Sequence, residues 1–533
     1  MNAERLLQHY ERIADAPDAI ARLRRFILDL AVRGKLVPQD ANDEPASELL
    51  KRIDKEKLDQ TGLPQGWRRT KIGSILDFQY GEGLKASERL DEGPVPVFGS
   101  NGIVGFTDEP LTQRPSIIVG RKGSAGALNL CDGPSWTTDV AYFVESPSFL
   151  DLRFLLNMLA ALDLDKLGKG VKPGLSRSEA YAQIIALPPL AEQHRIVAKV
   201  NELMGLCDRL AAARAGREAA RDRLAAASLA RLNAPDPETF QTDARFALEA
   251  LPALTTRPDQ IKALRQTILN LAVRGKLVPQ DPKDEPASEL LKRIAKEKAR
   301  LVKAGQIIRE KPLPPLTEAD AAFELPRGWE WVRLGHLSQM VTSGSRDWAK
   351  HYTNEGAIFV RMGNLSKDHY RLRLDHIQHV KPPADGEGTR TRLLAGDVLI
   401  SITGEVGMLG LIPEGFGEAY INQHTAMVRP IDEVKGRYLP ELFRSPFAQA
   451  QFNEPQRGIK NSFRLTDVTQ FVVPLPPLAE QHRIVAKVDA LMALCDRLKA
   501  SLDQSTATRR RLLEALLQEA LAPVDVAEIE VAE

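Results

Sequence analysis

Residues 187–200 read LPPLAEQHRIVAKV, and residues 475–488 read LPPLAEQHRIVAKV again without a change. The likeness runs on through Leu203-Met204 and Leu206-Cys207-Asp208-Arg209-Leu210, matched by Leu491-Met492 and Leu494-Cys495-Asp496-Arg497-Leu498 at the same offset of 288. Upstream lies a second pair of copies. LAVRGKLVPQD begins at Leu30 and at Leu271, and DEPASELLKRI at Asp43 and at Asp284, both at an offset of 241. Each leads into an LPxGW step, Leu63–Trp67 and Leu325–Trp329. An internal repeat constrains a fold more strongly than local propensity does. The chain is therefore two tandem units in one order, each with a helical segment, a variable middle and a second helical segment.

The copied segments read as helices. Ile196, Val200, Leu203, Cys207 and Leu210 step by four and three, as do Ile484, Val488, Leu491, Cys495, Leu498 and Leu502. That is an a/d seam, which calls for another helix against it. Pro189 and Pro477 suit a first helical turn, and Glu192 and Glu480 follow at the positive end of the dipole. From Pro189 to Leu232 such a helix is a rod of roughly 65 Å at 1.5 Å per residue. The other copied segment reads as a helix ending at Gly34 (or Gly275), a turn, and a second helix starting near Pro45 (or Pro286).

The expected class is α+β, with two tandem α/β domains separated by long coiled-coil-like helices and related by a pseudo-twofold repeat. The expected divisions are a helical segment 1–62, copied as 258–303, an α/β domain 63–187 and a spacer helix 188–232. A joint over 233–257, opened by Pro235 and Pro237, precedes a central helical segment 258–324. A second α/β domain 325–475, a second spacer helix 476–522 and a tail 523–533 complete the chain. Packing of the opening helix, through Leu23 or Ile27, against the last helix would close the pseudo-twofold arrangement.

The two middles differ in sequence yet keep common points. SIIVG (116–120) and DVLISI (397–402) read as buried strands. Gly123 and Gly126 of GSAG match Gly404 and Gly407 of GEVG. Gly170-Val171-Lys172 matches Gly458-Ile459-Lys460 at the 288 offset. These are two domains of one fold with divergent surfaces. Two different readers on identical scaffolds suit a target with periodic grooves, as DNA offers about every 34 Å.

Composition sets the outer limits. With 533 residues the chain exceeds one core. No run of eighteen apolar residues occurs, so no membrane span is expected, and the acidic opening MNAERLLQHYERIADAPD does not read as a secretory signal. Three cysteines, Cys131, Cys207 and Cys495, form no CxxC pair, which suits a reducing cytoplasm. The net charge of +1 is modest for a DNA binder. Affinity would rest on the local field along a groove and on cations of partner subunits.

The doubled LPPLAEQ-x-RIV helix opening resembles the conserved regions of type I restriction–modification specificity (S) subunits. The strand-Gly-x-x-Gly pattern and the G-[VI]-K segment resemble their target-recognition domains. The resemblance spans nearly the whole chain. It implies that each target-recognition domain binds one half of an asymmetric bipartite site in double-stranded DNA. It implies that the helices pack antiparallel, set the spacer and dock two methyltransferase subunits carrying S-adenosylmethionine. Two motor–nuclease subunits, using ATP and Mg, would join for restriction, and this chain would bind no cofactor itself.

Family position and side-chain chemistry together nominate DNA contacts. Lys166, Lys169, Lys172 and Arg177 lie with no acid among them, broken by glycines that let backbone approach phosphate. Lys460, Asn461, Ser462 and Arg464 hold the same place in the second domain. Asn and Arg suit adenine and guanine edges there. Loops after expected strands add Ser100, Asn101, Arg121, Lys122, Thr137 and Thr138 in the first domain. The second adds Ser343, Ser345, Arg346, Arg361, Asn364, Gln423 and His424.

Motifs of catalysis are missing. The Pro-Pro pairs follow Leu187, Leu313, Lys381 and Leu475, so none makes the Asn- or Asp-Pro-Pro-aromatic motif of an adenine methyltransferase. No GxxxxGK[ST] loop is present, and Gly81-Glu82-Gly83 is a weak cofactor loop. His369, His376 and His379 match no zinc spacing. His194 and His482 recur inside the copied helix start, which suits scaffold or subunit contact more than catalysis. Two rival readings stand beside the main one: a nuclease carrying its own reader domains, which would need an acidic Mg site, and a coiled-coil scaffold that binds no DNA.

Overall fold

The computed structural model describes residues 10–51, 58–167, 174–236, 238–309, 311–344, 347–382, 390–454 and 463–521. The protein is α+β and divides into two compact units, residues 1–219 with 505–533, and residues 220–504. The tandem reading keeps each spacer helix whole with the domain before it. The structure parts both, giving residues 220–233 to unit 2 and 505–521 to unit 1.

Unit 1 opens with α1 (Tyr10–Ile13) and α2 (Ala19–Val32). Helix α2 stops as the sequence requires. Gly34 takes φ 65°, and the Lys35 N–H reaches the Leu30 carbonyl at 3.0 Å. A Cβ on Gly34 would stand 2.5 Å from Cγ of Pro64, so the LPxGW step closes on this glycine. Helix α3 (Ala46–Leu50) starts after Pro45. The chain then enters the α/β domain on β1 (Arg68–Lys71), which pairs antiparallel with the last strand of the domain, Ile184–Leu187.

Between them lie α4 (Ile72–Ile75) and two sheets. The first has the order β2 (Gln79–Tyr80), β8 (Ala141–Glu145), β5 (Ser116–Gly120), β6 (Leu128–Cys131). The second has β4 (Gly102–Thr107), β3 (Val95–Gly99), β7 (Trp136–Thr137), with β3 and β7 parallel. Helix α5 (Leu152–Ala161) is capped by Asp151, and α6 (Arg177–Tyr181) by Ser176. Strand β9 (Ile184–Leu187) then leads into α7 (Leu190–Asn233), 44 residues or about 66 Å long.

One core runs through the unit. Ile117, Val119, Tyr142, Phe154 and Leu155 join Ile27 and Ala31 of α2 and Ile196, Val200 and Cys207 of α7. The seam of α7 thus lies within its own unit. Leu203 packs at its margin, whereas Leu210 is 36% exposed. A smaller core joins Ile13, Ala16 and Ala19 to Leu513, Leu516 and Leu517, with Leu23 and Phe26 alongside. The opening helix therefore meets the end of the last helix through Leu23 and Phe26, while Ile27 faces the larger core.

Unit 2 begins with residues 220–233 of α7 and then departs from the expected joint. Over Phe240–Leu254 it forms α8, with Ala247 and Leu254 buried. The prolines mark only the break before this helix. Helix α9 (Pro258–Val273) copies α2, including the cap at Gly275, and α10 (Ala287–Lys303) copies α3. Residues 220–233 meet α9 through polar groups where unit 1 uses leucines. The Asn270 amide donates to Asn233 at 3.0 Å, and Arg257 and Gln260 reach Asp222 at 2.7 and 2.9 Å.

The second α/β domain repeats the first. β10 (Glu330–Arg333) pairs with the closing strand, Val472–Leu475. One sheet has the order β11 (Ser338–Ser343), β18 (Thr425–Pro430), β15 (Val398–Ser401), β16 (Leu409–Leu411). The other is β12 (Tyr352–Thr353), β14 (Gln378–Val380), β13 (Ala357–Val360), β17 (Ala419–Ile421), again with one parallel pair, β13 and β17. Helices α11 (Tyr438–Arg444), α12 (Pro446–Asn453) and α13 (Leu465–Gln470) and strand β19 (Val472–Leu475) precede α14 (Leu478–Leu521). In α14, Ile484, Val488 and Cys495 are buried in the core of unit 2, with Leu491 and Leu498 packed against it.

Residues 311–324 lead into β10 of the second domain. They are held by Arg333, which donates to the carbonyls of Pro314 and Pro315 at 2.8 and 3.2 Å. Their Phe323 ring packs on Trp331 and Phe447 beneath Arg274.

Candidate nucleic-acid interface

Each α/β domain is fastened to its helices by the copied residues. In unit 1 the buried Glu192 carboxylate accepts from the Trp67 indole at 3.0 Å and from the Gln39 amide at 3.1 Å. Arg195 binds Asp43 at 2.6 Å. In unit 2 Glu480 accepts from Trp329 and from Gln280, both at 3.0 Å, and Arg483 binds Asp284 at 2.6 Å. Burial pushes both glutamate carboxyls above their usual range, and the hydrogen bonds pull partly back. All four copied motifs meet here, which gives a physical reason for their shared sequence.

Loops gather where the two sheets of each domain touch. The GSAG and GEVG turns both use left-handed glycines: Gly123 and Gly126 at 82° and 79°, Gly404 and Gly407 at 70° and 82°. Against each turn sits the loop following β3 or β13. Ser100 Oγ lies 3.7 Å from a Cβ placed on Gly123, and Met362 Cε 3.7 Å from one placed on Gly404. A second crossing binds the sheets. A Cβ on Gly81 would meet the Thr138 carbonyl at 2.2 Å, and one on Gly344 the Ile421 carbonyl at 2.1 Å. Gly81 and Gly344 are thus equivalent, a match the sequence does not display because their neighbours differ.

These equivalences align the nominated residues. In the first domain Arg121 and Arg177 come together around Tyr80, which sequence reasoning passed over. The Arg121 guanidinium lies 4.8 Å from the Tyr80 ring centroid and that of Arg177 4.7 Å. Lys122 is exposed and bridges to Gly174, the first described residue after the glycine-rich basic loop. Asn101 is exposed at the β3–β4 turn beside half-buried Ser100. Lys169 and Lys172 lie outside the described residues.

Two nominations face inward. Thr137 and Thr138 are buried, and Thr138 Oγ1 donates to the Phe98 carbonyl at 3.0 Å, so neither side chain reaches the surface. The sequence places both on a surface loop, but they sit where the sheets cross.

In the second domain the same edge carries other chemistry. His424 is exposed and its ring is fixed on both sides, by Thr403 Oγ1 at 2.6 Å and by the Gln423 amide at 2.9 Å. Ser343 stands where Tyr80 does, Ile402 where Arg121 does, and Leu465 where Arg177 does. Arg464 is exposed at the start of α13. Arg361 is half-buried. Asn364 is buried and structural: its Oδ1 accepts from the Arg361 N–H at 2.9 Å and its Nδ2 donates to the Arg373 carbonyl at 2.8 Å. It leaves the set of surface readers. Ser345, Arg346, Lys460, Asn461 and Ser462 lie outside the described residues.

Among the described residues no group of three or more His, Cys, Asp or Glu is arranged to hold a metal ion. His379 bonds the Gly356 carbonyl at 3.0 Å instead of gathering with its neighbours. The three cysteines are buried and free. No described helix is long and apolar enough to cross a membrane.

Comparison with known proteins bears on this arrangement. The family model described as the type I restriction modification DNA specificity domain matches residues 64–214 and 326–505, each span an α/β domain with the start of its long helix. The specificity subunit of type I restriction enzyme EcoAI from Escherichia coli is 30% identical over 566 residues, spanning 94% of this chain and 94% of its own. That of EcoEI, also from Escherichia coli, is 29% identical over 577 residues with the same coverage. A chain solved in work on complex assembly and conformational transition of the type I R-M system aligns with 86% of this chain and 98% of its own, at 21% identity and a TM-score of 0.47.

Proposed function

The chain belongs to the type I restriction–modification DNA specificity family, and from that premise we propose that its two α/β domains each read one half of an asymmetric, two-part site in double-stranded DNA. The long helices hold the halves at a fixed spacing. The chain performs no chemistry and carries no cofactor. It directs two methyltransferase subunits, which bring S-adenosylmethionine, and two motor–nuclease subunits, which bring ATP and Mg.

The observation that carries this reading is one scaffold with two edge chemistries. Tyr80, Arg121, Lys122 and Arg177 in the first domain correspond to Ser343, Ile402, Thr403 and Leu465 in the second. Bases are told apart by the donors and acceptors presented to them, so unlike edges read unlike sequences. A pair of identical partners is supported by copied residues that the chain leaves at its surface. His194 and His482 are exposed, and Leu206 and Leu494 are 40% and 50% exposed. An exposed leucine retained in both halves suits the same apolar contact made twice.

A domain exchange tests the reading. Residues 63–187 are replaced by the corresponding domain of another specificity subunit, and methylation is followed in the assembled complex. The expected result is a new sequence in one half of the site, with the other half and the spacer unchanged. A change in both halves, or DNA cleavage by the purified chain with Mg alone, would contradict it.

A further inference from the structure

We infer that Tyr80 is a positioning residue that fixes Arg121 and Arg177 as a preformed pair of DNA contacts, at whose positions the second domain carries Ile402 and Leu465. The inference rests on the DNA-reading assignment above and deepens it at one site. Tyr80 is 47% exposed, on a two-residue strand whose partner Tyr142 is buried and 5.1 Å away ring to ring. The face of such a ring attracts a stacked cation. Here two guanidinium groups, at 4.8 and 4.7 Å, share the one ring.

Among the described residues, no carboxylate forms an ion pair with Arg121 or Arg177. Each is tied by one backbone carbonyl: Arg121 Nη1 to Asp139 at 2.9 Å, and Arg177 Nη1 to Phe78 at 3.3 Å. A guanidinium has five N–H donors in a fixed fork, so most remain for a ligand. Two such cations, held 4.8 and 4.7 Å from one ring centroid, repel each other in the free chain. The ring quadrupole offsets that repulsion, and an anionic or acceptor-rich partner would relieve it. The fitting chemistry is a set of oxygen or nitrogen acceptors on DNA, either phosphate oxygens or the O6 and N7 of guanine.

The second domain supplies the contrast. The Leu175 N–H bonds the Arg121 carbonyl, and the Phe463 N–H bonds the Ile402 carbonyl, so the strand ends are in register. Ser343, Ile402 and Leu465 then stand in place of the tyrosine and the two arginines. The cluster is a property of one reader, as a specificity determinant should be, and not of the shared scaffold.

The test uses the full chain assembled with its methyltransferase subunits. Methylated sites are mapped, and binding to a duplex carrying the mapped site is measured against salt. Tyr80→Ser, which installs the residue of the second domain, should weaken binding by about tenfold and loosen the methylated sequence in one half only. Tyr80→Phe, which keeps the ring, should restore most of what Tyr80→Ser loses. Arg121→Gln and Arg177→Gln, with the ring in place, should each reproduce the loss. If the acceptor is phosphate, the slope of log affinity against log salt falls by about one per arginine. If it is guanine, one base position of the mapped sequence becomes degenerate. Full affinity and an unchanged sequence in Tyr80→Ser, or in both arginine variants should Tyr80→Ser not fold, would overturn the inference while the DNA-reading assignment stands. Equal losses in Tyr80→Phe and Tyr80→Ser would also overturn it. A wild-type complex that methylates no two-part site would remove the assignment itself.

Discussion

Trp329 donates its indole N–H to Glu480 at 3.0 Å, with both side chains buried, and Trp67 makes the same bond to Glu192 in the other unit. The carboxylate at the head of each long helix is thereby tied to the LPxGW step at the mouth of the α/β domain. A buried carboxylate is tolerable only where its lone pairs are satisfied. Gln280 or Gln39 satisfies the second oxygen. This bond fixes the angle at which a reader leaves its rod.

Breaking it should be costly. Glu480→Ala leaves an indole N–H and an amide buried without an acceptor, an expected loss of about 3 kcal/mol. Glu480→Gln keeps an acceptor for the indole and sheds the charge, and should cost less than about 1 kcal/mol. Thermal unfolding of the full chain ranks the two.

The same carboxyl sets a pH dependence. Burial raises its pKa in the folded chain above the unfolded value of about 4.3. The folded state therefore holds the proton more tightly, and this group's contribution is greatest below the unfolded value. Stability from Glu480 should fall as pH rises from about 4.3 through the raised folded pKa, then level off. Glu480→Gln should flatten that part of the profile. A wild-type midpoint that rises across that window by more than the Gln variant's would contradict the assignment.

The turn glycines are not equal. Gly123 and Gly126 both have positive φ, but a Cβ on Gly126 would stand 2.2 Å from the Asp165 backbone nitrogen, whereas one on Gly123 meets nothing closer than 3.7 Å. Gly123→Ala should cost about 1 kcal/mol, the strain of the left-handed region alone. Gly126→Ala adds a backbone clash and should cost several times more. Denaturant titration of the two variants decides this.

Leu513 is fully buried against Ile13, Ala16 and Ala19. Leu513→Ala should destabilise unit 1 by about 3 kcal/mol. Limited proteolysis should then cut within residues 10–32 first. An unchanged cleavage pattern would show that the last helix does not hold the opening one.

Asn364 and Thr138 separate support from reading. Asn364→Ala removes bonds to three backbone groups, and Thr138→Ala the bond to the Phe98 carbonyl. Each should lower the unfolding midpoint, by about 1–2 kcal/mol in stability, and leave the methylated sequence unaltered. A changed sequence in either would place these side chains in the reading set.

The scaffold was legible because it is written twice. An unbroken LPPLAEQHRIVAKV, an a/d seam and a glycine after each opening helix together specify the long helices and their caps. At the end of the first seam, Leu210 stays 36% exposed beside Ile20 and Leu23 of the opening helix. Helix α8 was missed because Pro235 and Pro237 mask the pattern that starts at Phe240. The readers were less legible for a geometric reason. Which side chain on a loop faces outward depends on how two sheets cross, and Thr137 and Asn364 turn inward at those crossings. Arg121 and Arg177 were found from charge and glycine spacing. Tyr80, 41 residues before Arg121, joins them only through the pairing of β2 with β8.

The most direct measurement maps methylated adenines in a methylation-free host that expresses this chain with its methyltransferase partner. The account predicts an asymmetric two-part sequence with a constant gap. A continuous site, a palindrome, or no new methylation by a soluble assembled complex would contradict it.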